Sequence, residues 1–159
     1  MLGAARRAAM TDSTLSFGVE IPFVNLLGFE LTLFEGGRSE VRLPPKLEHL
    51  NSFAVTHGGV LMTLLDVTMA SAARSVCPEL GVVTIEMKTS FMRPAMQSDH
   101  GPLVAKGELM HRTATMAFTQ ATVYDGRGHA CAHATGTFKY LKRLATGSRS
   151  VHSVQIPTD

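Results

Sequence analysis

The sequence predicts a single α+β domain in which an antiparallel sheet of about five to six strands wraps around one long central helix. One apolar run, from Gly58 to Ala73, has the length of a central helix. Runs rich in β-branched residues lie on both sides of it and are separated by Pro, Gly and "DGRG" turns. With 159 residues and 45% hydrophobic content, the chain is long enough to bury one core.

The candidate strands come in two groups. Before the helix, "FELTLFE" alternates into "GG" and is followed by "RSEVRLPP", which predicts a hairpin stopped by Pro44 and Pro45. The segment "FVNLLG", which ends at Gly28, predicts a short helix or turn. After the central helix, four strands are predicted in "GVVTIEMKTSFMRP", "GPLVAKGELMHRT", "TMAFTQATVYD" and "HACAHATGTFKYLK".

The two ends of the chain show no periodicity. Residues 1–15 are expected to be a disordered N-terminal extension, and residues 143–159, which mix Gly, Ser and Pro, a flexible C-terminal tail. The domain itself is expected to span residues 16–142.

Composition excludes several classes of protein. The formal charge is +2 and the basic residues are scattered, so nucleic acid is not an expected partner. The apolar run is short and carries Thr63, Asp66 and Ser71, which argues against a membrane span. Cys77 and Cys131 show no paired spacing, and a reducing compartment, the cytoplasm, is expected.

The central helix carries a carboxylate among apolar residues. Because apolar side chains occupy most of its circumference, we expect the helix to be buried nearly all round, with Asp66 inside or at the edge of an apolar setting. Such burial raises the pKa of a carboxyl toward the range of a general base. In the other interpretation, an arginine or backbone hydrogen bonds neutralise Asp66. The sequence alone leaves both open.

Two glycines open the same helix. Gly58 and Gly59 have backbone N–H groups that no earlier helical turn satisfies, which favours an oxyanion site at the positive end of the helix dipole. Gly59 and Asp66 lie about 10 Å apart along the axis, at 1.5 Å per residue. One carbonyl cannot easily touch both, so two antiparallel helices across a two-fold axis are predicted, with the active site shared by a dimer.

These residues resemble a known family. "NSFAVTHGGVLMTLLD", followed by "GVVTIEMKTSFMRPA", is similar to the hotdog-fold acyl-CoA thioesterases, in particular the phenylacetic-acid-degradation branch. The resemblance covers most of residues 20–141. It implies a hotdog fold, subunits paired into a continuous sheet, often a homotetramer of two such pairs, and a coenzyme A thioester as substrate without metal or other cofactor.

The resemblance also implies roles for individual residues. Asp66 is the base or nucleophile at the thioester carbonyl, and the Gly58 N–H, assisted by the Asn51 side chain, polarises that carbonyl from the other subunit. His57 holds the loop or the substrate in place. Thr84 falls where a related branch has a serine that helps to orient water.

Candidate substrate contacts are less specific. Arg93, beside Pro94, and Lys88 are candidate partners for the phosphates of coenzyme A, although a single basic residue is more commonly an ordinary surface charge. Met62 is a candidate for an acyl pocket, while flexible core filling is the commoner use of methionine.

The remaining histidines give weaker signals. "HACAH" places His129, Cys131 and His133 on one strand face, but ligands along an extended strand diverge, so ordinary packing or solvent exposure is expected instead of a metal site. His49 has no partner spacing, and a loop or surface role is its default.

The predicted function is therefore hydrolysis of an acyl or aryl-acyl thioester to the free acid and coenzyme A. Two alternatives belong to other classes. A hotdog dehydratase or hydratase needs a different histidine–acid arrangement, which "THGGVLMTLLD" lacks. A noncatalytic acyl-CoA sensor keeps the pocket without the chemistry, and the presence of both Asp66 and Asn51 argues against it.

Overall fold

A computed structural model describes residues 14–96 and 100–142. The hairpin, the long helix and the four later strands are all confirmed. In chain order the elements are α1 Pro22–Leu27, β1 Glu30–Glu35, β2 Arg38–Leu43, a 3-10 turn at Leu47–His49, α2 Gly58–Arg74, β3 Gly81–Phe91, β4 Leu103–Arg112, β5 Met116–Tyr124 and β6 Ala130–Leu141.

Glycines in the left-handed region of backbone space set the boundaries of the first elements. Helix α1 has a proline in its first turn and ends at Gly28, with φ of 75°. The β1–β2 hairpin turns through Gly36 and Gly37, with φ of 58° and 81°. Two consecutive positive φ angles are typical of the tight hairpin turn whose twist matches that of the strands.

All six strands form one antiparallel sheet in the order β1-β2-β4-β5-β6-β3. Strand β3 therefore lies at one edge and pairs with β6, although it follows α2 directly in sequence. Helix α2 packs against every strand of the sheet. The hotdog architecture expected from the resemblance is the observed fold.

Four irregularities interrupt the strand pairings. The register shifts between Leu31 and Leu33, between Thr84 and Glu86, between Leu109 and His111, and between Val123 and Tyr124. An extra residue in one strand bends that strand and increases its twist. The irregularities are distributed over the sheet, and they help it to curl around α2.

The helix and the sheet are in close contact at Gly107 of β4. A Cβ atom there would lie 2.6 Å from the Ser39 Oγ and 2.9 Å from the Thr68 carbonyl oxygen. The Ser39 hydroxyl donates a 2.6 Å hydrogen bond to that carbonyl, and the Thr68 hydroxyl donates to the Leu64 carbonyl. Glycine is needed here because the backbone of α2 lies directly on the sheet.

Burial of α2 differs from the prediction. The side facing the sheet is fully buried at Leu64, Leu65 and Met69, but Met62 is 39% exposed and Asp66 is half-buried. The sheet of one chain covers one side of the helix and stops at the edge strand β3. The helix is therefore not buried nearly all round in a single subunit.

The described part of the chain begins slightly before the expected domain boundary at residue 16. Leu15 bridges to β1, its N–H donating to the Leu31 carbonyl at 2.7 Å. The remainder of the expected N-terminal extension and the expected C-terminal tail lie outside the described residues. No helix in the described ranges is long and apolar enough to cross a membrane. Cys77 and Cys131 are free and buried.

Replacing Gly107 by alanine should destabilise the protein by about 1–3 kcal/mol, the usual cost of overpacking a filled core. The added methyl group meets the backbone of α2, which cannot move aside independently of the helix. The free energy of unfolding from urea titration measures this effect.

Gly58→Ala is the matched control. Its Cβ would meet the Phe91 ring at 3.4 Å, an ordinary contact, and alanine is the better helix former. This variant should be as stable as wild type or slightly more so. Equal stabilities of the two alanine variants would contradict the close helix–sheet packing at Gly107.

Candidate active site

A hydrogen-bonded loop before α2 fixes the orientation of Asn51. Its Oδ1 accepts the N–H groups of Phe53 at 2.9 Å and Val55 at 3.3 Å. Its backbone N–H donates to the Val55 carbonyl, and its carbonyl accepts from Ala54, which has φ of 57°. Because both partners of the side-chain oxygen are donors, the amide NH2 group is the part left for a ligand.

His57 caps the start of α2. Its Nδ1 accepts the Gly59 N–H at 2.9 Å, and this places the hydrogen of a neutral ring on Nε2. The Gly58 N–H has no partner among the described residues. The sequence suggested that both glycines leave an open N–H, whereas in the structure Gly58 alone does so. His57 thereby ties the start of α2 to the preceding loop.

His49 is an anchor of this loop, so of the predicted loop or surface role only the surface alternative is wrong. The side chain is buried, and Nδ1 accepts the Lys46 N–H at 3.0 Å. The His49 carbonyl accepts the His57 N–H at 2.8 Å. A three-residue 3-10 turn gives no hydrophobic periodicity, so nothing in the sequence signalled that the ring turns inward.

A cleft of about 360 Å³ lies between this loop and the end of β3. One wall contains Asn51 and Gly58, and the other consists of Phe91, Met92, Arg93, Pro94 and Ala95. The second wall is tied down by hydrogen bonds from the N–H groups of Met92 and Arg93 to the Cys131 carbonyl, at 2.8 and 3.1 Å. The open Gly58 N–H and the Asn51 amide thus belong to the same cleft.

Asp66 lies further along α2 and meets β3. The Thr84 hydroxyl donates to its Oδ1 at 2.7 Å. Burial raises the pKa of Asp66, and the weaker effect of the Thr84 hydrogen bond lowers it. Within residues 14–96 and 100–142, Asp66 forms no ion pair. The interpretation in which an arginine neutralises Asp66 is therefore wrong for the described chain.

The carboxylate and the cleft are separate within one subunit. Asp66 is not among the residues that line the cleft. It follows Gly58 by eight positions in one helix, or about 12 Å at 1.5 Å per residue. The structure therefore brings together two pairs, Thr84 with Asp66 and Asn51 with Gly58, on the side of α2 that the sheet leaves open.

The three predicted substrate contacts separate into different places. Arg93 lines the cleft. Met62 lies one turn from both Gly58 and Asp66, on the same side of α2. Lys88 does not share this side, because Met87, its neighbour in β3, packs against the core, and alternation turns Lys88 to the outer face of the sheet. Lys88 is therefore not part of the cleft that Arg93 lines, and its contact with a coenzyme A phosphate stays a prediction.

Phe91 also lines the cleft, although no motif in the sequence predicted this role. Its ring lies beside Gly58, where a Cβ would be 3.4 Å away. Alternation from Met87 along β3 places Phe91 on the helix side, and this signal was present in the sequence.

The potential metal ligands of the "HACAH" strand do not form a cluster within the described residues. No group of three potential ligands occurs in the described ranges. His133 is hydrogen-bonded to Thr122 at 2.9 Å, and His129 lies 3.3 Å from the Asp125 carboxylate. Each of these two histidines thus has a polar partner close by.

Comparison with known proteins identifies the family. The profile of the thioesterase superfamily matches residues 53–132, about half of the chain. A protein of Saccharolobus solfataricus named as an esterase is 31% identical over 108 residues, which cover 68% of this chain and 75% of the relative. The chain belongs to the thioesterase superfamily.

Solved structures agree with this assignment at the level of the fold. The E. coli PaaI protein from the phenylacetic acid degradation operon superposes with a TM-score of 0.70 at 21% identity, covering 79% of this chain and 86% of that one. The smu.793 protein of Streptococcus mutans, solved with acetyl CoA bound, has a TM-score of 0.67 at 23% identity, with 74% and 92% covered. The expected resemblance to the hotdog thioesterases is confirmed.

Asp66→Asn should stabilise the protein at neutral pH. The pKa of Asp66 is higher in the folded state than in the unfolded state. At a pH above the unfolded pKa, ionisation of Asp66 therefore favours the unfolded chain. The resulting loss of folding free energy grows with pH until the pH passes the folded pKa. Asparagine carries no such penalty and can still accept the Thr84 hydrogen bond.

Thermal unfolding of both proteins across pH checks this. The gain of the variant should be present at pH 7 and should disappear below the ordinary pKa of an aspartate. A gain that is the same at all pH values would show that ionisation of Asp66 is not its cause.

Proposed function

We propose that the protein hydrolyses an acyl-CoA thioester, with Asp66 as the base or nucleophile. The observation that carries the proposal is the half-buried Asp66 carboxylate, which has a raised pKa and no ion pair in the described chain but is held by the Thr84 hydroxyl. A carboxylate that is neither neutralised nor fully solvated is suited to accept a proton from water. The adjacent Thr84 oxygen retains lone pairs that can orient that water.

The cleft supplies the complementary half of acyl transfer. The Gly58 N–H and the Asn51 amide NH2 are donors in one cleft, and Gly58 opens a helix of 17 residues. Donors placed where a carbonyl oxygen gains negative charge lower the barrier for attack, and the helix dipole has the same sign. The absence of a Gly58 side chain allows a carbonyl to approach the N–H.

Two subunits are needed for Asp66 and Gly58 to act on one carbonyl. Strand β3 has 11 residues and forms the sheet edge, where Val83, Ile85 and Phe91 are exposed. A long apolar edge strand is a template for pairing with another chain. Pairing of β3 with its copy in an antiparallel dimer supports an arrangement in which one subunit's Asp66 faces the partner's cleft. Association of two such dimers into a homotetramer remains part of the proposal.

The cleft lining supports the proposed substrate class. Arg93 offers a guanidinium for a phosphate, while Phe91, Met92 and the nearby Met62 offer apolar surface for an acyl group. The S. mutans protein of the same fold was solved with acetyl CoA, which supports coenzyme A as the carrier. No metal or further cofactor is part of this mechanism.

Wild type should release free thiol from members of a panel of aromatic and straight-chain acyl-CoAs, and Asp66→Asn should lose about a hundredfold or more in kcat, the lower range for a general base. Asn51→Asp is a second arm, since it keeps the oxygen that the loop requires and replaces the donor by an acceptor. Binding without turnover in wild type would place the protein among acyl-CoA sensors, and equal turnover in all three would remove both residues from the chemistry.

Mixing two inactive variants tests the shared site. If Asp66→Asn and Asn51→Asp subunits exchange freely at equal amounts, half of the dimers are mixed and each has one intact site, so about a quarter of wild-type activity should return. The unmixed variants serve as controls. If both groups act from the same chain, mixing will restore nothing, even when native mass spectrometry shows that mixed dimers have formed.

A further inference from the structure

Strand β3 contains one residue more than its partner strand requires. Thr84 pairs with Phe138 and Glu86 pairs with Thr137, so Ile85 is left over as a bulge. The side chain of Ile85 is 54% exposed. Thr84, directly before the bulge, donates to Asp66.

The bulge changes which side chains face the helix. After it, Met87 packs against the core and Phe91 lies beside Gly58, so alternate residues point inward. In a regular strand, residues two positions apart face the same side, so Ile85 would face α2 like Met87. Instead Thr84 faces α2, and Val82, two residues earlier, packs against the core. A hydroxyl therefore stands at Asp66 where uninterrupted alternation would place an apolar side chain.

We infer that Ile85 is a positioning residue. As the extra residue in β3 it bends the strand, so that the Thr84 hydroxyl reaches the Asp66 carboxylate. A bulge increases local twist and redirects the adjacent side chain, and bulges are common beside active sites. The consequence for catalysis rests on the proposed function of Asp66. The consequence for the Asp66–Thr84 hydrogen bond does not.

Deleting Ile85 isolates the effect of the bend. In the shortened chain Thr84 and Glu86 become consecutive, so each keeps its partner on β6, and Val82, Thr84, Met87 and Phe91 keep their inward faces. Deleting Glu86 instead gives the same regular strand with isoleucine at the outward position. The side-chain controls are Ile85→Ala and Glu86→Gln, which leave the bulge in place.

The primary readout is the titration of Asp66, measured by carboxyl carbon NMR, because it does not depend on turnover. Burial and the Thr84 hydroxyl are the influences on this group, and no charged side chain of the described chain adds to them. Thr84→Val removes the lowering hydrogen bond, so the pKa of Asp66 should rise. Each deletion should produce a rise of the same size, and a deletion combined with Thr84→Val should add nothing further.

Thiol release provides the second readout. Both deletions should lower kcat/KM by about tenfold, comparable to losing one hydrogen bond to a charged group, and should move the acid limb of the pH profile upward. If the NMR shift occurs in a protein that never releases thiol, the inference stands and the proposed function fails.

Two outcomes would overturn the inference. In one, the folded deletion variants titrate like wild type while Thr84→Val does not, so the bend is irrelevant to the hydrogen bond. In the other, neither deletion folds, and the bulge is a requirement of the sheet and not a device of the site.

Discussion

The close seating of α2 on the sheet is the constraint on which the other features depend. Gly107 allows the Thr68 carbonyl to accept the Ser39 hydroxyl, and this contact fixes how the helix is rotated about its axis. With that rotation set, the Leu64 side of α2 is buried and the side with Gly58, Met62 and Asp66 stays at the open edge. The polar groups of the candidate site are thus kept out of the core by the same contact that completes the core.

Each half of the site is held by groups that a ligand does not need to move. His57 takes up the Gly59 N–H and leaves the Gly58 N–H open, and the loop takes up the Asn51 oxygen and leaves its NH2 group open. Thr84 holds the Asp66 carboxylate in the same way. Preorganised donors lower a barrier more than flexible ones because no reorganisation is required during the reaction.

Much of the fold could be predicted because its signals are local. The "GG" turn, the apolar helix and the β-branched runs each identify an element within a few residues. Thr84 was anticipated through resemblance as a residue of the site, although its contact with Asp66 was not. The edge position of β3, the inward turn of His49 and the outward turn of Lys88 were not, since they depend on strand order and on pairing partners far away in sequence. The bulge at Ile85 is invisible without β6, because an extra residue exists only relative to a partner strand.

Ala54 adopts φ of 57°, a conformation that costs an L-amino acid about 1–2 kcal/mol and that glycine adopts freely. The conformation of the loop around Asn51 is therefore not set by the intrinsic backbone preference of its residues. Its strained conformation is held by the hydrogen bonds to Asn51 and by the hydrogen bond from the His57 N–H to the His49 carbonyl. A substitution that weakens the buried His49 anchor would let the strained backbone at Ala54 relax, so a residue that does not line the cleft governs the shape of the loop that does.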